Sequence, residues 1–102
     1  PDRREALVDL AHHYYENNNW IECRKYAELA LAITEKPLEY LCEDFAWGSA
    51  PWDFAALSSY NLGNKEKAVQ YGSKAVELNP NDPRLQTNLV FYTKEQHLGD
   101  II

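Results

Sequence analysis

Two stretches of the chain share one pattern, and this repetition constrains the fold more than any other feature. The segment YYENNNWIECRKYAELALAI, residues 14–33, aligns with SYNLGNKEKAVQYGSKAVEL, residues 59–78, at an offset of 45 residues. The alignment pairs Cys23 with Ala68 and Ala30 with Ala75. Because each segment places a turn before an apolar run of helical spacing, the chain is predicted to contain two related helix–turn–helix units.

Apolar residues recur every three or four positions in five parts of the chain. This spacing puts them on one face of an α-helix, so each part is predicted to be an amphipathic helix. The predicted helices cover residues 5–15, 20–33, 51–62, 65–78 and 83 to about 96.

Residues that favour turns and helix ends separate these helices. The segment ENNN, residues 16–19, breaks the first helix because Asn favours turns and tolerates left-handed backbone. Gly63 is expected to end the third helix with a positive φ, and Asn64 to cap the fourth. Ser49 is a candidate N-cap for the third helix, whose first turn tolerates Pro51.

The predicted fold is all-α, a stack of two helix–turn–helix repeats and a C-terminal capping helix in one domain. An insert separates the repeats, since the offset exceeds the 34 residues of a common helical repeat. The capping helix would cover the last apolar face. The expected boundaries are about 4–36 for repeat 1, 37–48 for the insert, 49–82 for repeat 2 and 83–96 for the cap.

Composition narrows the function classes. The 102 residues carry a net charge of −6, with 16 acidic against 10 basic side chains. This balance argues against a nucleic-acid surface, which needs clustered Lys and Arg. No apolar run approaches the roughly 18 residues of a membrane span. Since no signal peptide is recognisable, a cytoplasmic location is expected. The chain begins with Pro1, and we expect it to be a fragment of a longer protein.

Neither the cysteines nor the polar clusters predict a catalytic or metal centre. Cys23 and Cys42 are expected to be reduced thiols, and a disulfide or a metal pair is the alternative. His12 and Glu16 share one helix face and could bridge a metal, but a third ligand is missing nearby. Ser58 has no histidine partner in sequence, and the glycines form no phosphate loop. We therefore expect no enzyme activity and no cofactor in this chain.

The second unit has an aromatic residue early in its first helix, a glycine in the turn, small residues at the close helix contacts and a final proline. These residues are Trp52, Gly63, Ala68, Ala75 and Pro80. In this pattern the second unit resembles the tetratricopeptide repeat family. The first unit departs from the pattern, with Leu7 for the tryptophan, Asn18 for the glycine and Cys23 for the first alanine.

The resemblance implies a concave groove that binds a peptide. In tetratricopeptide stacks the first helix of each unit lines this groove. The alternative is that the residues on the corresponding helix faces of this chain only pack against the last helix. A family subtype that grips a terminal carboxylate with Lys, Asn and Arg is not expected here, since the corresponding positions lack these residues. The implied groove residues are Val8, His12, Tyr15, Asp53, Leu57, Tyr60, Thr87, Phe91 and Lys94.

The insert is rich in aromatic residues, which a solvated linker would not be. Tyr40, Phe45 and Trp47 either fold back as a plug between the units or present a surface for a ligand or partner.

A second set of residues forms short motifs between positions 40 and 92. These residues are Cys42, Glu43, Ala46, Trp47, Gly48, Pro51, Asp53, Asn88, Leu89, Phe91 and Tyr92. With them, residues 40–92 resemble the tetratricopeptide region that follows the catalytic domain in many bacterial family 2 glycosyltransferases. The resemblance implies a parent transferase with an upstream nucleotide-sugar domain, and this chain would then recruit the acceptor, self-associate as a homo-oligomer or brace that domain. A freestanding adaptor that binds a peptide is the alternative.

Overall fold

The computed structural model describes the backbone of residues 3–34 and 44–101 and the side chains of residues 3–34 and 46–93. These residues form helices only, which confirms the predicted all-α fold. The helices are α1 (Arg4–Glu16), α2 (Trp20–Leu31), α3 (Asp44–Trp47), α4 (Ala50–Asn61), α5 (Lys65–Leu78) and α6 (Pro83–Ile101).

The turns of the two hairpins have the same construction. Asn18 and Gly63 have positive φ angles of 58° and 89°, so both adopt the left-handed backbone conformation that their residue types tolerate. Asn19 and Asn64 follow them and cap α2 and α5. Each side-chain oxygen accepts a hydrogen bond from the backbone N–H of the residue three positions on, at 3.4 and 3.0 Å.

Three features of the helix ends differ from the sequence prediction. Helix α2 ends at Leu31, two residues before the predicted end. Ser49 precedes α4, but its side chain makes no capping hydrogen bond and its backbone is helical, with φ −79° and ψ −18°. The predicted Ser49 cap is therefore wrong, because a capping hydroxyl reaches the first-turn N–H groups from an extended backbone. Helix α6 continues to Ile101, beyond the expected end near Gln96.

The helices stack as two hairpins, α1–α2 and α4–α5, and α6 is added at one end. Helix α1 packs against α2, α4 packs against α5, both α1 and α2 contact α4, and α5 contacts α6. Helix α4 is therefore central, and seven of its twelve residues are buried. Small residues at these contacts let the helix axes approach closely. At one of them, Cys23 Sγ of α2 lies 3.7 Å from the Phe54 carbonyl oxygen of α4.

Tyr92 positions α6 against the second hairpin. Its ring is buried with Ala56 and Ala68 and lies beside Gly72 of α5, where a Cβ atom would come within 3.2 Å of the ring carbons. The missing side chain at Gly72 thus creates the space that the Tyr92 ring fills. Helix α6 covers the apolar face of α5 in this way, as expected of a capping helix.

Arg4 joins three separate parts of the chain at the start of α1. Its Nε donates to the Ala46 carbonyl oxygen at 2.8 Å, and its Nη1 donates to the Ile33 carbonyl oxygen at 2.7 Å. Its guanidinium carbon also lies 4.5 Å from the centre of a Trp47 ring. Because Arg4 is buried and supplies donors to these carbonyl groups, it holds the end of α2 and helix α3 against α1.

We expect Arg4→Ala to lower the free energy of unfolding by about 2–3 kcal/mol, since two carbonyl groups lose their donor and Trp47 loses its cation partner. Urea unfolding followed by circular dichroism measures this loss. Lys25→Ala is the control, since it also removes a positive charge but from an exposed position on α2, and it should cost roughly 0.5 kcal/mol or less. Equal losses in the two variants would show that Arg4 has no such joining role.

Candidate functional site

One side of the stack brings α1, α4 and α6 together, and we call it the α1/α4/α6 face. The Tyr15 ring of α1 lies 4.9 Å from the Phe54 ring of α4. Two further contacts join α4 to α6. Asp53 Oδ2 accepts a hydrogen bond from Arg84 Nη2 at 2.9 Å, and the Tyr60 and Phe91 rings are 5.3 Å apart. The first helix of each hairpin and the last helix therefore lie side by side.

All nine predicted groove residues lie on these three helices, and their side chains differ in depth. The half-buried ones are His12, Tyr15, Leu57 and Tyr60, and the exposed ones are Thr87 and Phe91. Thr87 lines a shallow depression that α6 forms by itself with Pro83, Gln86 and Val90. The side chain of Lys94 lies outside the described residues.

The prediction that Val8 lines the groove is wrong. Its side chain is 0% exposed and belongs to the core shared by α1, α2 and α4. The alignment with the tetratricopeptide pattern placed Val8 in the groove with His12, but the neighbouring helices cover the Val8 side chain. It cannot contact a ligand in this structure.

His12 is held by a ring and a carboxylate. Its imidazole stacks on Phe54 with the ring centres 5.4 Å apart and an angle of 8° between the planes. Its Nε2 lies 3.3 Å from Glu16 Oε2 on the next turn. Among the residues that the structure describes, no group of three or more His, Cys, Asp or Glu side chains could hold a metal ion.

The Asp53–Arg84 pair is the polar centre of the face. The Asp53 carboxylate is 5% exposed and the Arg84 side chain 53% exposed. Burial raises the pKa of Asp53 above its usual range, although its hydrogen bond with Arg84 acts in the opposite direction. The same hydrogen bond raises the pKa of Arg84, so the guanidinium keeps its charge.

Two tyrosines lie within electrostatic range of this pair. Burial raises the pKa of both Tyr15 and Tyr92, and the negative charge of Asp53 adds to the effect. The Tyr92 hydroxyl is buried and has no hydrogen-bond partner within the described part of the chain. Arg84 and Tyr92 were not predicted as groove residues, although the prediction included three other residues of α6, because their roles depend on contacts with α4 and α5.

The described part of the insert packs on α1. Trp47 is half-buried, stacks on Arg4 and donates from Nε1 to Glu5 Oε2 at 2.8 Å. For Trp47 this favours the plug alternative. Tyr40 and Cys42 and the side chain of Phe45 lie outside the described residues.

Cys23 and Ser58, which carry groups that could act as nucleophiles, are both buried between helices. Burial raises the pKa of the Cys23 thiol to about 11, so the group stays protonated at neutral pH. The Ser58 hydroxyl donates to the Phe54 carbonyl oxygen of its own helix at 2.7 Å. Neither atom is exposed, and both serve the packing of α2 on α4.

Comparison with known proteins returned no relative: no family model matches the chain, and no curated protein matches it. Within residues 3–34 and 44–101, no helix has both the length and the apolar character needed to cross a membrane.

The raised pKa of Asp53 predicts a pH dependence of stability. The native state holds the Asp53 proton more tightly than the unfolded chain, in which its pKa is about 3.9. Its contribution to stability is therefore full below that value and is lost as the pH rises through the native pKa. We expect the wild type to lose stability relative to Asp53→Asn over this rise.

Urea unfolding of both proteins at several pH values from about 3 to 7 measures the difference, in which the other carboxyl groups cancel. A wild type that instead gains stability relative to Asp53→Asn as the pH rises would show that the attraction of Arg84 outweighs the burial of Asp53.

Proposed function

We propose that this chain is a non-catalytic protein-interaction module that binds a peptide on its α1/α4/α6 face. The observation that carries the proposal is the exposed aromatic and polar surface at the junction of α4 and α6. Phe91 is 50% exposed although it contacts Tyr60, and Arg84 is more than half exposed although it pairs with Asp53. Aromatic and Arg side chains that are partly buried and partly accessible are common anchors of protein interfaces.

The chemistry of the other polar groups also favours binding over catalysis. Cys23 and Ser58 are buried in helix contacts, and His12 is stacked on a ring and paired with Glu16. A nucleophile needs a base within hydrogen-bond reach and access to a substrate. These groups are engaged in packing instead.

We propose further that the module is of the tetratricopeptide type and belongs to a bacterial family 2 glycosyltransferase. The stacked hairpins, the equivalent turns at Asn18 and Gly63, and the added helix α6 support the first step. The motifs over residues 40–92 support the second. In such a transferase the module would recruit the acceptor, self-associate or brace the catalytic domain. A freestanding cytoplasmic adaptor is the competing proposal.

Peptide binding is tested with Phe91→Ala. Peptides selected on the full 102-residue chain from a phage-displayed library of random linear sequences should bind this variant about tenfold more weakly, because an anchoring ring is lost. Fluorescence polarisation of labelled, selected peptides measures the change.

Val90→Ala is the matched control, since Val90 is the neighbouring exposed apolar residue and lines the depression on α6 itself. Its affinity for the selected peptides should be unchanged. Equal effects of the two variants, or a failure to select any peptide, would contradict binding on the α1/α4/α6 face.

The glycosyltransferase proposal is tested by the length of the native polypeptide. An antibody against this chain should detect, in its source cells, a protein several times larger than 11.8 kDa. Peptide mapping of that protein should place a nucleotide-sugar domain upstream. A native chain near 11.8 kDa would overturn this step and favour the freestanding adaptor.

A further inference from the structure

Helix α2 carries an exposed surface that takes no part in the α1/α4/α6 face. Ile21 is 67% exposed and Leu29 is 47% exposed, and both are large apolar residues. They lie eight positions apart on α2, which is about 12 Å along the helix axis and on the same side of it. Between them lies a depression of about 460 Å³, and we call its lining the α2 surface. The lining residues are Ile21, Arg24, Lys25, Glu28 and Leu29.

The charges of the α2 surface favour an anionic partner. Among the described residues, Arg24 has no hydrogen-bond or ion-pair partner. Lys25 Nζ lies 3.9 Å from Glu22 Oε1, and two exposed charges at this separation attract each other only weakly. The Glu28 carboxylate is engaged elsewhere, since its Oε2 accepts a hydrogen bond from the Tyr71 hydroxyl of α5 at 2.7 Å. Two cations are therefore available between two exposed apolar residues, in a chain whose net charge is −6.

We propose that the α2 surface binds an acidic amphipathic helix of a partner protein. Two apolar residues of that helix, seven or eight positions apart, pack at Ile21 and Leu29. An Asp or Glu between them, on the same side of the partner helix, forms an ion pair with Arg24 and Lys25. Both the surface and the ligand differ from those of the α1/α4/α6 face, so the inference does not rest on the peptide-binding proposal.

The helical form of the partner follows from what α2 exposes. The α2 surface consists of side chains, because the backbone groups in the middle of an α-helix are hydrogen-bonded within the helix. An extended segment would leave its own N–H and C=O groups without backbone partners there. A helix bonds these groups internally and docks through side chains alone, and its periodicity matches the spacing of Ile21 and Leu29.

An anionic membrane matches this surface less well than an acidic helix does. Basic and apolar residues on one helix face are also found in helices that lie on lipid. A lipid surface, however, would face a wide area of a chain with a net charge of −6 and would repel it. A single helix meets only the α2 surface, where two cations are available.

Two capped 18-residue helical peptides serve as probes. Each is rich in alanine and carries two leucines eight positions apart. Two residues between the leucines, on the same side, are glutamate in one peptide and lysine in the other. The peptides are titrated into the ¹⁵N-labelled full chain, and the amide signals of Ile21, Lys25 and Leu29 are followed by NMR. We expect the glutamate peptide to shift these signals and to bind about tenfold more tightly than the lysine peptide.

The variant Arg24→Glu gives a result that loss of folding cannot imitate. It reverses a charge at the centre of the α2 surface, so the lysine peptide should become the tighter ligand. Lys65→Glu is the matched control, since it reverses the same charge beside Tyr60, outside the α2 surface, and it should keep the wild-type order. Circular dichroism confirms that both variants are folded.

The other outcomes overturn the inference. Equal or tighter binding of the lysine peptide by the wild type, or an unchanged order in Arg24→Glu, would show that charge does not select the ligand. If the α2 signals shift with the concentration of the chain alone, a second copy occupies the surface. If they are lost on addition of phosphatidylserine vesicles, a membrane occupies it. If neither peptide shifts the α2 signals, this inference is wrong, and the peptide-binding proposal, which concerns Phe91, is unaffected.

Discussion

Close packing around α4 is the constraint on which the rest of the structure depends. Helices α1, α2, α3 and α5 all contact α4, and small side chains such as Ala55, Ala56 and Ser58 let them approach it closely. The Ser58 hydroxyl, which is buried, donates to its own helix, so its burial leaves no unpaired donor. A larger residue at these positions would separate α4 from its neighbours. The α1/α4/α6 face would then lose the helix that connects its two sides.

The candidate site depends on α6 as much as on α4. Arg84 and Phe91 both come from α6, and Tyr92 positions that helix by filling the space over Gly72. A buried aromatic ring is costly to displace, since a space of its volume would be left behind. The packing of one ring therefore determines where an ion pair and an exposed ring on the same helix are presented. This explains why residues from distant parts of the chain form one surface.

Local sequence patterns predicted the helices and turns well because the interactions that determine them are local. Gly63 and Asn64 end and begin helices through their own backbone preference and side chain. Val8 and Arg4 were not predicted in their roles, since both depend on contacts with residues far along the chain. Arg4 donates hydrogen bonds to the carbonyl groups of Ile33 and Ala46, and the spacing of residues within α1 does not predict these contacts.

The sequence by itself determined that the chain is helical, where most helices begin and end, and that two hairpins repeat. Short-range spacing and turn chemistry carry that information. Only the tertiary structure decided that Asp53 is buried beside Arg84, that Val8 belongs to the core and that Tyr60 meets Phe91. The physical reason is that burial and charge pairing arise where helices meet. Which residues meet depends on the packing of all the helices together.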